Sequence, residues 1–344
     1  MRNFKKIIPR IAAILIFFFV LESVVKFLYM PYDKYSLYAN REYKEEQGKV
    51  DMIFCGTSHV YSALNPSIID ERLGVNSFNL GTGSQPLNAT YWLIKEALRI
   101  NPVKTVFLEA SISTMIRGNN DSAKLGVYDR LITPLTRLEF IINEPKNSMK
   151  VRELFYSTRV SDYFDFDTVL DNVSYKLSAN GQEAPSVMMT PGEPVYYSKG
   201  YINNDTVYNG KKAARQNDRT HYWDRDNVSE ESLQAFYDIV ELCEENDVEL
   251  TLLGVPLTPQ FMDNAGDMED MHAFYQGLAS EYGLKYYDMN YIEDRDVLFG
   301  NTSFRDRAHL NNTGGTICSN LISEIYQMGD DYLQRFEYPE FEES

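Results

Sequence analysis

The stretch VDMIFCGTSHVYSALNP, Val50 to Pro66, decides the fold. Four of its first five residues are apolar, and the chain then turns small and polar at Gly56-Thr57-Ser58-His59. A short apolar run closed by such a turn has the pattern of a strand buried on both faces of a parallel sheet. The strand would end by presenting Ser58. A serine in that place is either a turn residue or a nucleophile, and a nucleophile needs a base from elsewhere in the chain.

Outward from this strand the same rhythm repeats. Ile68–Leu73 reads as a short helix, and Val75–Leu80 as a second strand that ends in Gly81-Thr82-Gly83-Ser84. Thr90–Ile100 carries Leu93, Ile94, Ala97 and Leu98 at helical spacing, and Lys104–Ala110 is a third strand. The pattern resumes at Ser229, a helix N-cap followed by Glu230 and Glu231 in the first turn. Val248–Pro256 and Lys285–Asn290 are further strands, with a helix at Phe274–Tyr282 between them and a last helix at Thr316–Met328. Strands alternating with helices predict an α/β fold, a doubly wound parallel sheet with helices on both faces. Between residues 115 and 228 the rhythm fails in a segment rich in Tyr, Asn, Asp and Arg. This insert reads as a cap lobe, either facing substrate or purely structural. Residues 31–48 read as a linker, 49–329 as the main domain, and 330–344 as an acidic, aromatic tail.

At the N-terminus, Arg2, Lys5, Lys6 and Arg10 precede an apolar run from Ile11 that continues to Met30. A basic flank before an apolar segment long enough to span predicts a transmembrane signal anchor within residues 1–30, uncleaved because no Ala-x-Ala site follows. The basic flank places the N-terminus in the cytoplasm and the domain on the extracytoplasmic side of the cell membrane, a single-pass topology. Glu22 and Lys26, four residues apart, are expected to pair on one helix face. They read either as a contact for a membrane partner or as charges tolerated near the interface.

The balance of 33 Lys+Arg against 50 Asp+Glu gives a formal net charge of -17. That excludes a nucleic-acid partner, whose phosphates need a basic surface. The 3 cysteines, Cys55, Cys243 and Cys318, lie far apart among apolar residues and read as buried thiols, without disulfide or zinc spacing. No metal or cofactor is expected. With 4 histidines, the search for a base is short. The segment FRDRAHLNNTGG, Phe304 to Gly315, supplies one: Asp306 and His309 are three apart just before the last helix. A loop can turn that carboxylate onto one imidazole nitrogen and leave the other for the Ser58 hydroxyl.

GTSH after the first strand, NLGTGS after the second and DRAHLN near the end resemble three sequence blocks of the SGNH (GDSL-like) hydrolase superfamily. The chain is most similar to the membrane-anchored extracytoplasmic branch, which includes the D-alanyl transfer protein of lipoteichoic acid synthesis and the alginate acetylation proteins. The resemblance covers about residues 49–114 and 229–328 and leaves out the insert. It implies a catalytic Ser58, with His309 as base and Asp306 as its orienter. It implies an oxyanion hole from the Ser58 backbone and from Gly83 or Ser84. The family's Asn after the third strand is missing from Leu108–Thr114, so Ser113 or Ser111 would substitute, and Thr57 stands where the family commonly has Asp. It also implies a membrane-bound O-acyltransferase as partner and a cell-envelope glycan as substrate. Three functions stay open: an O-acyltransferase or its accessory protein, an esterase or deacetylase using the same residues, and a non-catalytic scaffold for the acyltransferase.

His59 adjoins the serine and reads as a structural residue or substrate contact rather than the base. His221 and Trp223, in RTHYWDRD (Arg219–Asp226), read as a carbohydrate platform or as an ordinary packed loop. His272 reads as a residue of a surface helix with no special role.

Overall fold

The apolar runs become strands of one parallel sheet in the computed structural model, which describes residues 4–31, 35–116, 118, 121–144, 150, 152, 154–178, 195–209 and 221–339. Arg2, Arg219 and residues 340–344 of the acidic tail lie outside the described residues. The strands are β1 (Met52–Cys55), β2 (Ser77–Asn79), β3 (Thr105–Glu109), β4 (Val195–Ser198), β5 (Tyr201–Asn203), β6 (Glu249–Gly254) and β7 (Lys285–Asp288). The main sheet has the order β2-β1-β3-β6-β7, all parallel, and β4 and β5 form a separate antiparallel hairpin.

Side-chain alternation builds the two faces. Ile53, Cys55, Val106 and Leu108 pack with Leu93, Phe236 and Tyr275, from the helices Leu87–Ile100, Glu230–Glu245 and Met268–Tyr282. Met52, Phe54, Phe107 and Leu253 pack on the other face with Ile69 and Ile322, from the helices Pro66–Leu73 and Asn312–Met328. Each fully buried large apolar side chain contributes about 1.5–3 kcal/mol. A one-residue slip of a central strand would exchange its faces, so packing fixes the register. In this strand order the chain leaves β1 toward β2 on one side and returns through β3 on the other. The loops after β1 and β3 therefore part and leave a crevice at the carboxyl ends of the strands.

Several expectations need correction. The segment 31–48 is not a bare linker: Tyr35–Glu45 is a helix with Tyr38, Ala39 and Tyr43 buried, and the Tyr43 ring lies 4.7 Å from Phe78. The insert is not a single cap lobe. Its helices Asp121–Arg130 and Pro134–Asn143 join the layer beside Leu87–Ile100, where the Glu96 carboxylate accepts the backbone N–H groups of Ile132 and Thr133. The β4–β5 hairpin docks beside β2 through Asn79 N–H to the Lys199 carbonyl, 2.9 Å. The segment Tyr156–Leu177 lies against the end of the N-terminal helix. The first part of the tail is packed as well. Tyr332 is buried, and Phe336 forms a bridge with Ile292 beside β7. Tyr338 then helps enclose His272, which is fully buried rather than on a surface. The His272 ring stacks on Tyr286 at 5.1 Å, and its Nδ1 lies 3.1 Å from Asp288 Oδ2.

The N-terminal helix runs from Phe4 to Tyr29. Its 23 residues Ile7–Tyr29 have a mean hydropathy of 2.5 and are long and apolar enough to cross a membrane. This starts four residues before the expected run. Glu22 does not pair with Lys26; it accepts the Ser157 backbone N–H (3.1 Å) and the Ser157 hydroxyl.

Candidate active site

β1 ends at Cys55, and a helix begins three residues later with Ser58 as its first residue (Ser58–Ala63). Thr57 caps it, its Oγ1 accepting the His59 N–H at 3.3 Å. Gly56 makes so abrupt a turn possible. A Cβ there would sit 2.5 Å from Glu109 Cβ and 2.6 Å from Val60 Cγ2. Gly56→Ala is therefore expected to cost about 1–3 kcal/mol or more through overpacking, read as a lower midpoint in thermal unfolding.

Glu109, the last residue of β3, lies beneath this turn and is buried. Its carboxylate accepts the Thr57 N–H, the Thr57 hydroxyl (3.0 Å) and His59 Nδ1 (3.0 Å). Burial alone would raise its pKa. The His59 hydrogen bond and charge and the two Thr57 donors outweigh burial and hold the carboxyl below its ordinary range. Asn79, at the end of β2, braces the nucleophile helix from the other side. Its Nδ2 donates to the Val60 and Leu64 carbonyls at 3.0 and 2.9 Å, and its Oδ1 accepts the Gly81 N–H at 3.0 Å.

The second half of the site is a loop closed on itself. Phe304 and Leu310 pair as an antiparallel bridge, and Arg305 N–H donates to the His309 carbonyl at 3.0 Å. Inside it, Asp306 Oδ1 accepts the backbone N–H groups of Ala308 and His309, both at 2.9 Å. This turn is why a spacing of three works, because it swings the carboxylate back onto the imidazole. His309 Nδ1 lies 2.9 Å from Asp306 Oδ1 and 3.0 Å from Oδ2. Asn311 fixes the loop on the last helix as its N-cap and by donating to the Thr302 carbonyl at 2.8 Å.

Across the crevice, His309 Nε2 lies 2.7 Å from Ser58 Oγ. Burial would raise the Asp306 pKa, but the His309 hydrogen bond and charge and the two backbone donors hold it well below the usual carboxylate range. Burial pushes the His309 pKa down; the Asp306 hydrogen bond opposes this, and His59 charge adds to it. The set is therefore poised as a neutral imidazole between an ionised carboxylate and a hydroxyl. That is the state in which the free nitrogen can take the serine proton.

These three side chains open into a cleft of about 340 Å³. His59, His221, Phe261 and Arg307 line it, as do Ser84 from the loop after β2 and Ser113 from the short helix Ile112–Ile116 that follows β3. Ser84 has a positive φ of 53°, a strained conformation for a residue with a Cβ. Of the two candidate donors after β2, Ser84 lines the cleft and Gly83 does not. Ser113 lines the cleft, with its Oγ 3.3 Å from Ser111 Oγ. The His59 ring centroid lies 5.0 Å from that of His309. The paired reading of His221 and Trp223 divides. His221 lines the cleft beside Phe261, with ring centroids 5.7 Å apart. Trp223 is 1% exposed and donates its Nε1–H to Asp270 Oδ2 at 2.7 Å, so it is a packed core residue and no substrate platform.

The sequence reading missed Glu109 and Tyr61. Glu109 is the one charged residue in the otherwise apolar stretch TVFLEA, and a lone carboxylate in a buried strand demands partners. Burial pushes the Tyr61 phenol up, against the opposing charge of Arg305, so it stays protonated. It lies three residues past Ser58, one helical turn on.

No family model matches the chain, and no curated protein matches it. Among solved structures it is similar to a "putative acylhydrolase" from Bacteroides fragilis NCTC 9343, at 12% identity and a TM-score of 0.37, over 84% of this chain and 94% of that one. It is also similar to a "GDSL-like lipase" from Bacteroides thetaiotaomicron VPI-5482, at 11% identity and a TM-score of 0.34, over 86% and 98%. Both likenesses are low, and the chemistry of the site rests on its own geometry.

Proposed function

We propose that the chain is an SGNH-type serine acyltransferase, held at the extracytoplasmic face of a membrane by its N-terminal helix. It would pass a short acyl group to a hydroxyl of a cell-envelope glycan. The observation that carries this reading is the connected line from Asp306 through His309 to Ser58, with successive contacts of 2.9 and 2.7 Å. A scaffold has no need of a serine aligned with a neutral, carboxylate-oriented imidazole.

In the proposed cycle His309 Nε2 takes the Ser58 proton as Oγ bonds to the acyl carbonyl carbon. The bond to the donor's leaving oxygen or sulfur breaks, and His309 returns the proton to that atom. An acceptor hydroxyl next gives its proton to His309 and attacks the acyl-serine ester. The Ser58 C–O ester bond breaks, and Oγ regains the proton. The Ser58 backbone N–H, Ser84 and Ser113 are the proposed donors to the oxyanion. A cleft of about 340 Å³ suits a short acyl group and a sugar ring better than a long chain. A membrane-bound O-acyltransferase is the proposed donor of the acyl group.

Hydrolysis is the second reading, favoured by solvent access: the side chains of Asp306 and His309 are 47% and 23% exposed. The two readings separate in a partition experiment. After a burst with p-nitrophenyl acetate, transfer predicts an acetyl-Ser58 that persists in buffer and disappears when a glycan acceptor is added. Rapid release to water with no response to acceptors overturns transfer.

The pH profile follows from the His309 shift. The protonated imidazole cannot act as base, so activity is present above its pKa and lost as pH falls through it. Its pKa lies below the ordinary 6.5. The acid limb of kcat/KM is accordingly expected to fall below pH 6.5, with most activity retained at that pH.

A further inference from the structure

The Phe166–Leu177 helix carries an apolar stripe that no part of the described chain covers. At 3.6 residues per turn, Phe166, Leu170, Val173 and Leu177 fall within about 60° of one another. Phe166, Leu170 and Leu177 are 63%, 61% and 72% exposed, and the preceding Phe164 is 80% exposed. Aromatic and leucine side chains this bare, in line on one helix, mark a surface that works against something apolar.

The neighbouring face of the same helix is tied to the end of the N-terminal helix. Asn172 donates to the Leu28 carbonyl at 3.1 Å, and Lys176 donates to the carbonyls of Phe27 (2.6 Å) and Met30. Just upstream, Tyr163 and Tyr29 meet ring to ring at 5.2 Å, and Ser157 donates to Glu22. Glu22 lies seven residues before Tyr29, about 10 Å along a helix rising 1.5 Å per residue. The 23 residues Ile7–Tyr29 extend about 34 Å by the same rise, slightly more than the roughly 30 Å hydrocarbon core. A segment bonded to both Glu22 and Met30 therefore sits where hydrocarbon gives way to headgroups. Tyrosine pairs and amphipathic helices belong at that level.

Resting on the reading that Ile7–Tyr29 spans the membrane, we propose that the Phe166–Leu177 helix lies in the lipid interface. Phe164, Phe166, Leu170 and Leu177 enter the acyl region. The occupant of the stripe is the bilayer itself. Asp165 and Asp167 flank the stripe and Asp171 lies on the opposite side of the helix, so the attachment is apolar and does not depend on anionic lipid. This second attachment stops the domain from swinging freely about the anchor and fixes its orientation to the membrane.

The test uses the full chain in phosphatidylcholine vesicles. Cys55, Cys243 and Cys318 are buried, so an introduced surface cysteine takes a fluorescent label selectively. Phe17→Cys reports the anchor, Leu170→Cys and Leu177→Cys the stripe, and Asp171→Cys the opposite side of the same helix. Brominated lipid should quench the labels at 17, 170 and 177 several-fold more than the label at 171, and aqueous iodide should show the reverse order. Iodide quenching at 170 and 177 equal to that at 171, with 17 still quenched by lipid, overturns the interfacial helix and leaves the anchor intact. Labels at 170 and 177 shielded from both quenchers overturn it in favour of a protein partner such as a second copy. Loss of lipid quenching at 17 overturns the anchor reading, and the proposal with it.

Discussion

Ser58→Ala is expected to lower kcat for an activated ester on the order of 10⁶-fold, the scale on which removing the nucleophile of a serine triad acts. His309→Ala should fall to nearly the same level, because Ser58 Oγ has its 2.7 Å contact with His309 Nε2 and loses its proton acceptor. The double variant should be no worse than either single one, since both changes disable one step. Asp306→Ala should retain more activity, with a loss on the order of 10⁴-fold. The imidazole keeps its place across the crevice but loses the carboxylate that orients it and stabilises its charge. Steady-state rates for the four variants check the pattern, with circular dichroism to confirm folding. Multiplying losses in the double variant would contradict a shared role for Ser58 and His309.

Glu109→Ala is the next largest expected effect, and it falls on stability. Removing the carboxylate strands the Thr57 N–H and hydroxyl and leaves His59 without its partner, all in a buried place. Breaking a buried ionic hydrogen-bond set costs about 3–5 kcal/mol. That is a large part of the 5–15 kcal/mol typical of a folded domain. The expected result is a large drop in the urea midpoint. Glu109→Gln keeps one acceptor oxygen and most of the shape, so it should lose less, about 1–3 kcal/mol. An unchanged midpoint in Glu109→Ala would contradict the role given to this carboxylate beneath the nucleophile turn.

The parts of this site that were legible in the sequence are local. Ser58 stands at the break between an apolar run and a polar turn, and Asp306 and His309 need only one loop to meet. The sheet was legible because strands buried on both faces are apolar throughout. Glu109 was not, because its partners Thr57 and His59 are fifty residues away and only the pairing of β1 with β3 brings them together. Tyr35–Glu45 reads as a linker in the sequence because tyrosines look polar until a neighbour such as Phe78 covers them. The burial of His272 was hidden for the same reason, and for Trp223 the sequence leaves a substrate platform and a packed loop equally open. An aromatic ring among charged residues carries no mark of its burial, and here Tyr338, Tyr275 and Phe274 supply the cover over long sequence distances.

The central claim is that Ser58 is a nucleophile activated by His309. Its most direct test is to treat the folded full-length protein with a fluorophosphonate and locate the adduct by peptide mass spectrometry. The account predicts a single rapid adduct on Ser58 and its near-complete loss in His309→Ala. No adduct on Ser58 in well-folded protein, or an adduct formed just as fast in His309→Ala, would contradict it.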